Sequence, residues 1–229
     1  MASTIVLITG ANRGIGKGIL ELYLQKPNHT VIAANRDPNH PTSKSLDDLP
    51  KAEGTSLHVV KIEATSPTDS ADAVKELVAV KGIDHIDILI ANAGMALGWP
   101  TVEEVQVDDI QKHVDVNIYG FLRLYQAFLP LLKKAKDPKW VTIGSSAAFL
   151  THWYTKAISA EAPWLTAFPV DPGWVQTELG NRGAHAIGVE KADITVEEST
   201  KGIVKAIDAS TRETHSGKLF KYDGSEVPW

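Results

Sequence analysis

Cysteine is absent from this sequence, and the histidines form no metal-binding pattern. Without cysteine the chain has neither disulfide bonds nor thiolate metal ligands. Its 8 histidines are scattered, with no HxH or HxxxH pair, which favours surface and loop positions over a metal site. The sequence therefore predicts no metal centre.

Long apolar runs and an excess of positive charge are also absent. No segment approaches the roughly 20 consecutive apolar residues of a membrane-spanning helix, and the N-terminus lacks the basic and apolar regions of a secretory signal peptide. The 23 Lys and Arg residues face 28 Asp and Glu residues, and no helical pattern carries a basic stripe. These absences predict a cytoplasmic protein that binds neither membranes nor nucleic acids.

The length and apolar content suit one α/β domain. A chain of 229 residues, 43% of them apolar, can bury one full core but is short for two comfortable domains. We therefore predict a single domain over residues 1–229.

The most informative stretch is residues 4–18, TIVLITGANRGIGKG, where an apolar run ends in a glycine-rich turn that opens into a helical pattern. The β-branched run predicts a strand covered on both faces of a parallel sheet. Gly10, Gly14 and Gly16 follow in TGxxxGxG spacing. Glycines there let backbone N–H groups reach a pyrophosphate at the positive end of the next helix. A glycine-rich hairpin without a ligand is the alternative.

Further motifs follow in order along the chain. They are Asn92-Ala93-Gly94 after an apolar run, Asn117 in DVNIYG, Ser145-Ser146 after a strand pattern, and Pro172-Gly173 followed by Thr177. With the glycine-rich loop they resemble the short-chain dehydrogenase/reductase family, most of all its carbonyl reductase and fungal polyketide ketoreductase branch. The resemblance implies an α/β fold, a single doubly wound Rossmann-type domain with a mostly parallel sheet of about seven strands.

The resemblance also assigns roles to particular residues. Ser146 would bind the substrate carbonyl oxygen, and Asn117 would sit at a local helix irregularity and hold a water in the proton path. The backbone near Val175 and the hydroxyl of Thr177 would hold the nicotinamide carboxamide. The full set implied in cofactor binding is Gly10, Asn12, Arg13, Gly14, Ile15, Gly16, Arg36, Glu63, Asn92, Ala93, Gly94, Pro172, Gly173, Val175 and Thr177.

Two longer segments carry further expectations. Residues 107–136 show one long helical pattern whose basic last turn suits the negative end of a helix dipole. Residues 178–192, rich in Gly, Ala and His, are predicted to form a mobile flap over the substrate.

The end of the second predicted strand selects the cofactor. Folds specific for NAD place an acidic residue there, which holds the ribose 2′-hydroxyl and would repel a 2′-phosphate. This sequence has Asn35-Arg36 instead, and Arg13 offers a second cation that can pair with a phosphate. Although either arginine alone could be an ordinary surface residue, together they predict NADP.

One family motif is missing. After Ser146 the family carries YxxxK, in which the lysine lowers the pKa of the phenol that gives a proton to the carbonyl oxygen. No YxxxK occurs in this sequence, and Ser159 stands where the tyrosine is expected. Tyr154 and Lys156 cannot replace it, because residues i and i+2 of a helix point to nearly opposite sides. Residues 147–162 still suffice for the crossover helix that the fold needs.

Three interpretations therefore stay open. The first is an NADP(H)-dependent oxidoreductase that reduces a ketone or aldehyde of a small, aromatic or polyketide-like substrate. The second is an NADP-binding pseudoenzyme or sensor without turnover, and the third is an ordinary enzyme whose sequence has lost a segment through a splicing or gene-model error. The family commonly forms homo-oligomers through the helices around Asn117 and after Ser146, an expectation weakened here because the second helix is shortened.

Overall fold

The computed structural model describes residues 3–145 and 149–228, which form one doubly wound α/β domain. Its strands make a single sheet in the order β3-β2-β1-β4-β5-β6-β7-β8. The strands are β1 (Thr4–Thr9), β2 (His29–Asn35), β3 (Ser56–Lys61), β4 (Ile88–Ala91), β5 (Lys139–Ile143), β6 (Thr166–Asp171), β7 (Leu219–Lys221) and β8 (Glu226–Val227). Neighbouring strands are parallel except for the antiparallel pair β7 and β8.

The sheet has one strand more than the sequence predicted. Strand β8 contains 2 residues and pairs Leu219 with Val227 and Phe220 with Glu226, after a turn through Gly224 at φ 85°. Two residues are too few to produce an alternating pattern, so the sequence did not reveal this strand.

Helices cover both faces of the sheet. They are α1 (Gly14–Leu24), α2 (Pro41–Lys44), α3 (Asp69–Ala79), α4 (Val107–Val114), α5 (Gly120–Leu132), α6 (Phe149–Glu161), α7 (Glu178–Ala186), α8 (Val196–Ala209) and α9 (Arg212–His215). In β1, Ile5 and Leu7 belong to the core cluster with α3, α5 and α6, whereas Val6 and Ile8 belong to the cluster with α1 and α8. The period of two along a strand produces this division.

The long helical pattern after residue 107 is interrupted. Helices α4 and α5 are joined by a π-helical segment, Asp115–Tyr119, that contains Asn117. A π-helical turn inserts an extra residue without breaking the helical rod, so the long helical pattern runs through it. The local irregularity expected around Asn117 is confirmed.

The crossover after β5 closes with a short helix. Helix α6 has 13 residues and connects β5 to β6, which pair in parallel from Lys139↔Thr166 to Ile143↔Val170. At 1.5 Å per residue it is about 20 Å long. The prediction that the fold closes without the YxxxK segment is therefore confirmed.

The segment predicted as a flap begins with a capped helix. Thr177 is the N-cap of α7 and accepts a hydrogen bond from the backbone N–H of Gly180 at 3.0 Å. Further along, Ile194 exchanges backbone hydrogen bonds with Trp174 and Gln176 at 3.0 and 2.8 Å. Both ends of the flap are thus fixed to the carboxyl side of the sheet. None of the helices within the described ranges is long and apolar enough to cross a membrane.

Candidate active site

The glycine-rich loop between β1 and α1 has the geometry of a phosphate cradle. Gly10 and Gly14 have φ of 64° and 54°, a left-handed backbone that favours glycine. A Cβ at Gly16 would lie 2.3 Å from the carbonyl oxygen of Gly10 and 2.5 Å from Nδ2 of Asn92. The first-turn N–H groups of α1 have no intrahelical acceptor, so they are available to an anion.

A buried asparagine, which sequence reasoning did not assign to the site, holds the loop. Asn35 ends β2, and its Oδ1 accepts a hydrogen bond from the N–H of Ala11 at 2.9 Å. Its Nδ2 donates to Oγ of Ser43 at 3.2 Å. The position where a carboxylate would select NAD is therefore occupied by a neutral side chain that supports the loop. A polar residue at the end of an apolar strand was visible in the sequence and could have indicated this supporting role of Asn35.

The carboxyl ends of β1 and β4 are joined through Thr9, a second residue that sequence reasoning missed. Its Oγ1 accepts hydrogen bonds from the N–H groups of Asn92 and Ala93 at 3.0 and 2.9 Å. Nδ2 of Asn92 donates to the carbonyl oxygen of Thr9 at 2.8 Å. A Cβ on Gly10 would lie 3.2 Å from Cα of Ala93. The two predicted cofactor motifs are thus in direct contact.

Two ion pairs connect the predicted phosphate-binding arginines to glutamates. Nη1 of Arg13 lies 2.7 Å from Oε2 of Glu178, the first residue of α7. Nε of Arg36 lies 3.7 Å from Oε2 of Glu63. Each carboxylate lies beside its arginine where a phosphate could also bind. A phosphate that binds there would share the guanidinium with the glutamate. Next to Arg13, Nδ2 of Asn12 donates to Oγ1 of Thr42 at 2.6 Å.

The motif after β6 forms the opposite side of the cleft. Gly173 has φ 75°, and a Cβ there would lie 2.3 Å from Cδ1 of Ile194. Its N–H donates to Oδ1 of Asp171 at 2.8 Å, and the carbonyl oxygen of Pro172 accepts from Oγ of Ser199 at 2.7 Å. The residues predicted to hold the nicotinamide therefore stand on a fixed turn. The other predicted residues there are buried Val175 and the N-cap Thr177.

The predicted catalytic asparagine bonds outside its own helix. Oδ1 of Asn117 accepts from the N–H of Met95, and its Nδ2 donates to the carbonyl oxygen of Met95, both at 2.9 Å. A Cβ on Gly94 would lie 3.4 Å from the same Oδ1. Both of these hydrogen bonds lead away from the helix that carries Asn117. Its role in a proton path stays a prediction.

Ser146, the predicted carbonyl-binding residue, lies outside the described residues. Near the end of β5, the hydroxyls of Thr142 in β5 and Thr155 in α6 are 2.8 Å apart and buried. His152 is buried on the same helix, and a Cβ on Gly144 would lie 2.2 Å from its Nε2. Burial lowers the pKa of His152, and the Asp171 carboxylate opposes that shift. Sequence reasoning had assigned this histidine no role.

The residues considered as replacements for YxxxK do not converge. Tyr154 packs against the core and lies 6.5 Å from Phe121 between ring centroids, whereas Lys156 is exposed. Ser159 lies five positions after Tyr154 on α6, where its Oγ is 2.9 Å from Oγ of Ser216. The structure thus places none of these three side chains together in the cleft.

The glycine-rich loop, the β4 motif and the β6 motif meet at the carboxyl edge of the sheet, where doubly wound folds bind ligands. At Gly10, Gly16 and Gly173 a side chain would collide with neighbouring protein atoms, so the backbone stays bare at this edge. These residues fit a nicotinamide cofactor. In the described part of the chain, no three His, Cys, Asp or Glu side chains group closely enough to hold a metal ion.

Comparison with protein families agrees with this geometry. Residues 4–160 match the model of the short chain dehydrogenase family, and the chain belongs to that family. It is an oxidoreductase of that type, with ketoreductases among its relatives. The short-chain dehydrogenase srdF of Neurospora crassa is 41% identical, and the alignment covers 99% of this chain and 98% of that protein. The norsolorinic acid ketoreductase nor1 of Dothistroma septosporum is 38% identical, over 99% and 92%.

A solved structure has the same fold over its whole length. The NADPH-bound carbonyl reductase from chicken fatty liver superimposes with a TM-score of 0.86 at 26% identity, and 100% of each chain is covered. The alignment with srdF extends over 251 positions, while this chain has 229 residues and is covered almost from end to end. The difference requires gaps in this chain within the aligned region.

Proposed function

We propose that this protein binds NADP(H) and reduces the carbonyl group of an aromatic, polyketide-like ketone or aldehyde. The preference for NADP over NAD is inferred from the residues at the end of β2. There the last residue of the strand is Asn35 rather than an acidic residue, its side chain is buried under the glycine-rich loop, and Arg36 follows directly. Arg13 supplies a second cation on the loop. The NADPH-bound state of the chicken carbonyl reductase supports the same choice.

The substrate class is supported by the relatives. Two norsolorinic acid ketoreductases, from Dothistroma septosporum and Aspergillus parasiticus, are 38% and 37% identical to this chain along almost its entire length. Both proteins are named for the reduction of a ketone. A fungal aromatic ketone is therefore the first substrate to test.

In this reaction the residues of the chain would have distinct roles. Bound NADPH supplies the hydride, and backbone amides of α1 with Arg13 and Arg36 hold its phosphates. The Ser146 hydroxyl would donate a hydrogen bond to the carbonyl oxygen as negative charge develops there. Asn117 would hold the water that brings the proton. Without a lysine-activated phenol, we expect turnover about 10²- to 10⁴-fold below relatives that have YxxxK, the usual contribution of a general acid.

The test uses the full chain in three measurements. Intact mass establishes that the protein is the 24.8 kDa chain. Fluorescence titration then compares NADPH with NADH, and NADPH oxidation is followed with norsolorinic acid and a panel of simpler aromatic ketones. We expect tighter binding of NADPH than of NADH and slow, ketone-dependent oxidation.

Matched variants separate the two parts of the proposal. R36Q and R13Q should each weaken NADPH binding while leaving NADH binding unchanged, because only NADPH carries the 2′-phosphate. K44Q, which removes a cation from nearby α2, serves as the control for net charge. Equal effects on both cofactors would contradict the NADP assignment. Binding without any oxidation would instead favour the nucleotide-binding protein without turnover.

A further inference from the structure

A short segment after β4 crosses the mouth of the cleft. Residues 95–99, called the strap here, leave the carboxyl end of β4 and reach α7, which follows β6. Glu178 of α7 is paired with Arg13 of the glycine-rich loop, so the strap joins two segments that lie at the carboxyl edge of the sheet. Doubly wound folds bind ligands at that edge, so a substrate held there would lie beside the strap.

The near end of the strap is held by one face of the α4 and π-helical rod. His113 and Asn117 are four positions apart and therefore share a helix face. Asn117 holds both backbone groups of Met95, and Nε2 of His113 accepts from the N–H of Leu97 at 3.1 Å. The other ring nitrogen of His113 is 2.6 Å from the carbonyl oxygen of Asp109. That oxygen can only accept, so Nδ1 carries the hydrogen and Nε2 is the acceptor.

The far end of the strap is held by α7 through an aromatic side chain. Cζ2 and Cη2 of Trp99 come within 3.0 and 3.2 Å of the position that a Cβ on Gly183 would occupy. The guanidinium of Arg182 lies 5.9 Å from the Trp99 ring centroid. The same guanidinium donates to the carbonyl oxygen of Ala96. Even with these contacts, Trp99 is 50% exposed.

Two further exposed apolar side chains belong to the same two segments as Trp99 and Gly183. Leu97 on the strap and Leu179 on α7 are both exposed. Leu179 and Gly183 are four positions apart on α7, so Leu179 lies on the face that meets the indole. Exposed apolar side chains that cluster beside a ligand cleft are typical of a binding wall for an apolar molecule.

We propose that Trp99 determines substrate specificity in this protein, by stacking its indole on the flat aromatic ring of a ketone whose carbonyl lies over the end of β5. This inference rests on the proposed function and adds the residue that selects the substrate class. Arg182 fixes the ring from the α7 side, and Gly183 leaves the space in which the indole edge sits. Aliphatic ketones have no π face for the indole, so they gain little from this wall.

The experiment measures ketone binding by calorimetry on the NADP⁺-saturated full chain. The probes are 2-acetylnaphthalene and cyclohexanone, and the variants are W99A, W99F, G183A and W164A. Trp164 is the matched control, because it is another exposed tryptophan, 38% accessible, but precedes β6 at the opposite edge of the sheet. Circular dichroism checks that each variant folds, and W99F keeps an aromatic ring if W99A proves unstable.

We expect W99A to weaken 2-acetylnaphthalene binding about tenfold and cyclohexanone binding less than about twofold. W99F should retain most of the affinity. G183A should resemble W99A, because its new Cβ displaces the indole, and W164A should have no effect. Equal losses for both ketones, unchanged naphthalene binding in W99A, or no binding of 2-acetylnaphthalene by the parent chain would each overturn the proposal.

The outcome also separates this inference from the proposed function. If 2-acetylnaphthalene binding depends on Trp99 but no ketone causes NADPH oxidation, the proposed reductase activity is overturned and the role of Trp99 in binding aromatic ketones stands. NADPH oxidation in which the ratio of kcat/KM for 2-acetylnaphthalene to kcat/KM for cyclohexanone is the same in the parent chain and W99A would have the opposite meaning. It would support the reductase activity and overturn the role of Trp99.

Discussion

Arg13 of the glycine-rich loop and Glu178 of α7 form an ion pair of 2.7 Å across 165 positions of sequence. A second contact accompanies it, since a Cβ on Gly14 would lie 3.3 Å from Cγ2 of Thr177. The loop expected to hold the cofactor phosphates is therefore joined to α7, the helix that begins the predicted flap. A 2′-phosphate that recruits Arg13 must compete with a carboxylate already in place.

Removing that carboxylate should strengthen NADPH binding. In E178Q the guanidinium of Arg13 no longer has an anionic partner, and it is free to pair with phosphate. The pair is exposed, with 69% and 74% of the two side chains accessible, and exposed pairs contribute about 0.2–1 kcal/mol. We therefore expect the Kd for NADPH, measured by fluorescence titration at low salt, to fall by a factor of about 1.5 to 5.

Two controls define that result. NADH has no 2′-phosphate, so its Kd should not change in E178Q. E190Q makes the same change of charge in the segment after α7 and should leave both cofactors unaffected. Weaker NADPH binding by E178Q would show that the glutamate supports the site rather than competing for Arg13.

A side chain at Gly16 should disrupt the glycine-rich loop and its binding of the cofactor phosphates. In G16A the new Cβ would lie 2.3 Å from the carbonyl oxygen of Gly10 and 2.5 Å from Nδ2 of Asn92. Both neighbours are fixed, one by backbone and the other by hydrogen bonds to the end of β1. We expect NADPH affinity to fall at least about tenfold and the unfolding free energy to drop by about 1–3 kcal/mol. Calorimetry and urea denaturation measure the two effects.

The comparison is G98A. A Cβ on Gly98 would have its nearest neighbour, Cδ of Pro100, at 3.9 Å, which is ordinary van der Waals contact. This variant should fold and bind NADPH like the parent chain. A G16A variant that matches G98A in both measurements would mean that the loop can relax, contrary to the geometry described above.

The sequence was sufficient to predict the features that depend on local pattern. The β1 strand and the glycine-rich loop each follow from a few adjacent residues, whereas the irregularity at Asn117 was implied by the family resemblance, and the structure contains all three. Strand β8 was missed because its 2 residues carry no period and its pairing is decided by the hairpin that precedes it.

Contacts between distant segments could not be predicted in the same way. Sequence analysis treated Arg13 and Arg36 as open cations, but their carboxylate neighbours Glu178 and Glu63 come from other elements. The support that Asn35 gives to Ala11 spans 24 positions and depends on the parallel register of β1 and β2. Such partners are fixed by tertiary packing, which a single sequence does not encode as a local motif.

Acid should destabilise the fold through His152. Burial lowers the pKa of this imidazole in the folded chain, while in the unfolded chain it protonates near pH 6.5. As pH falls below about 6.5, the unfolded state binds a proton that the folded state does not. Stability should therefore decrease by up to about 1.4 kcal/mol per pH unit, until the folded-state pKa is passed. Above pH 7 the effect vanishes.

Urea denaturation between pH 4.5 and 7.5 measures this effect as a difference between variants. His58 and His215, whose pKa values are also lowered chiefly by burial, contribute a background slope of the same sign. H152N should reduce the slope, and H40N at an exposed position should keep it. Equal slopes in the parent chain and H152N would mean that His152 takes up its proton in the folded state as readily as in the unfolded chain.

Aspartate at position 117 should be worse than alanine. In N117D one carboxylate oxygen can still accept from the N–H of Met95, but the other replaces the Nδ2 donor and faces the carbonyl oxygen of Met95, which Asn117 binds at 2.9 Å. Two acceptors then oppose each other in a half-buried site. In N117A water can reach both backbone groups. We expect losses of about 1 kcal/mol for N117A and about 2–3 kcal/mol for N117D by urea denaturation.

The control for N117D is D115N in the same π-helical segment. Its carboxylate accepts one exposed hydrogen bond from Gln111 at 2.9 Å, which an amide oxygen can still accept, so stability should change by less than about 0.5 kcal/mol. The order N117D, N117A, D115N from most to least destabilised follows from the two hydrogen bonds to Met95. If alanine proved worse than aspartate, the N–H of Met95 would be the group that matters, and the strap would be held by that single bond.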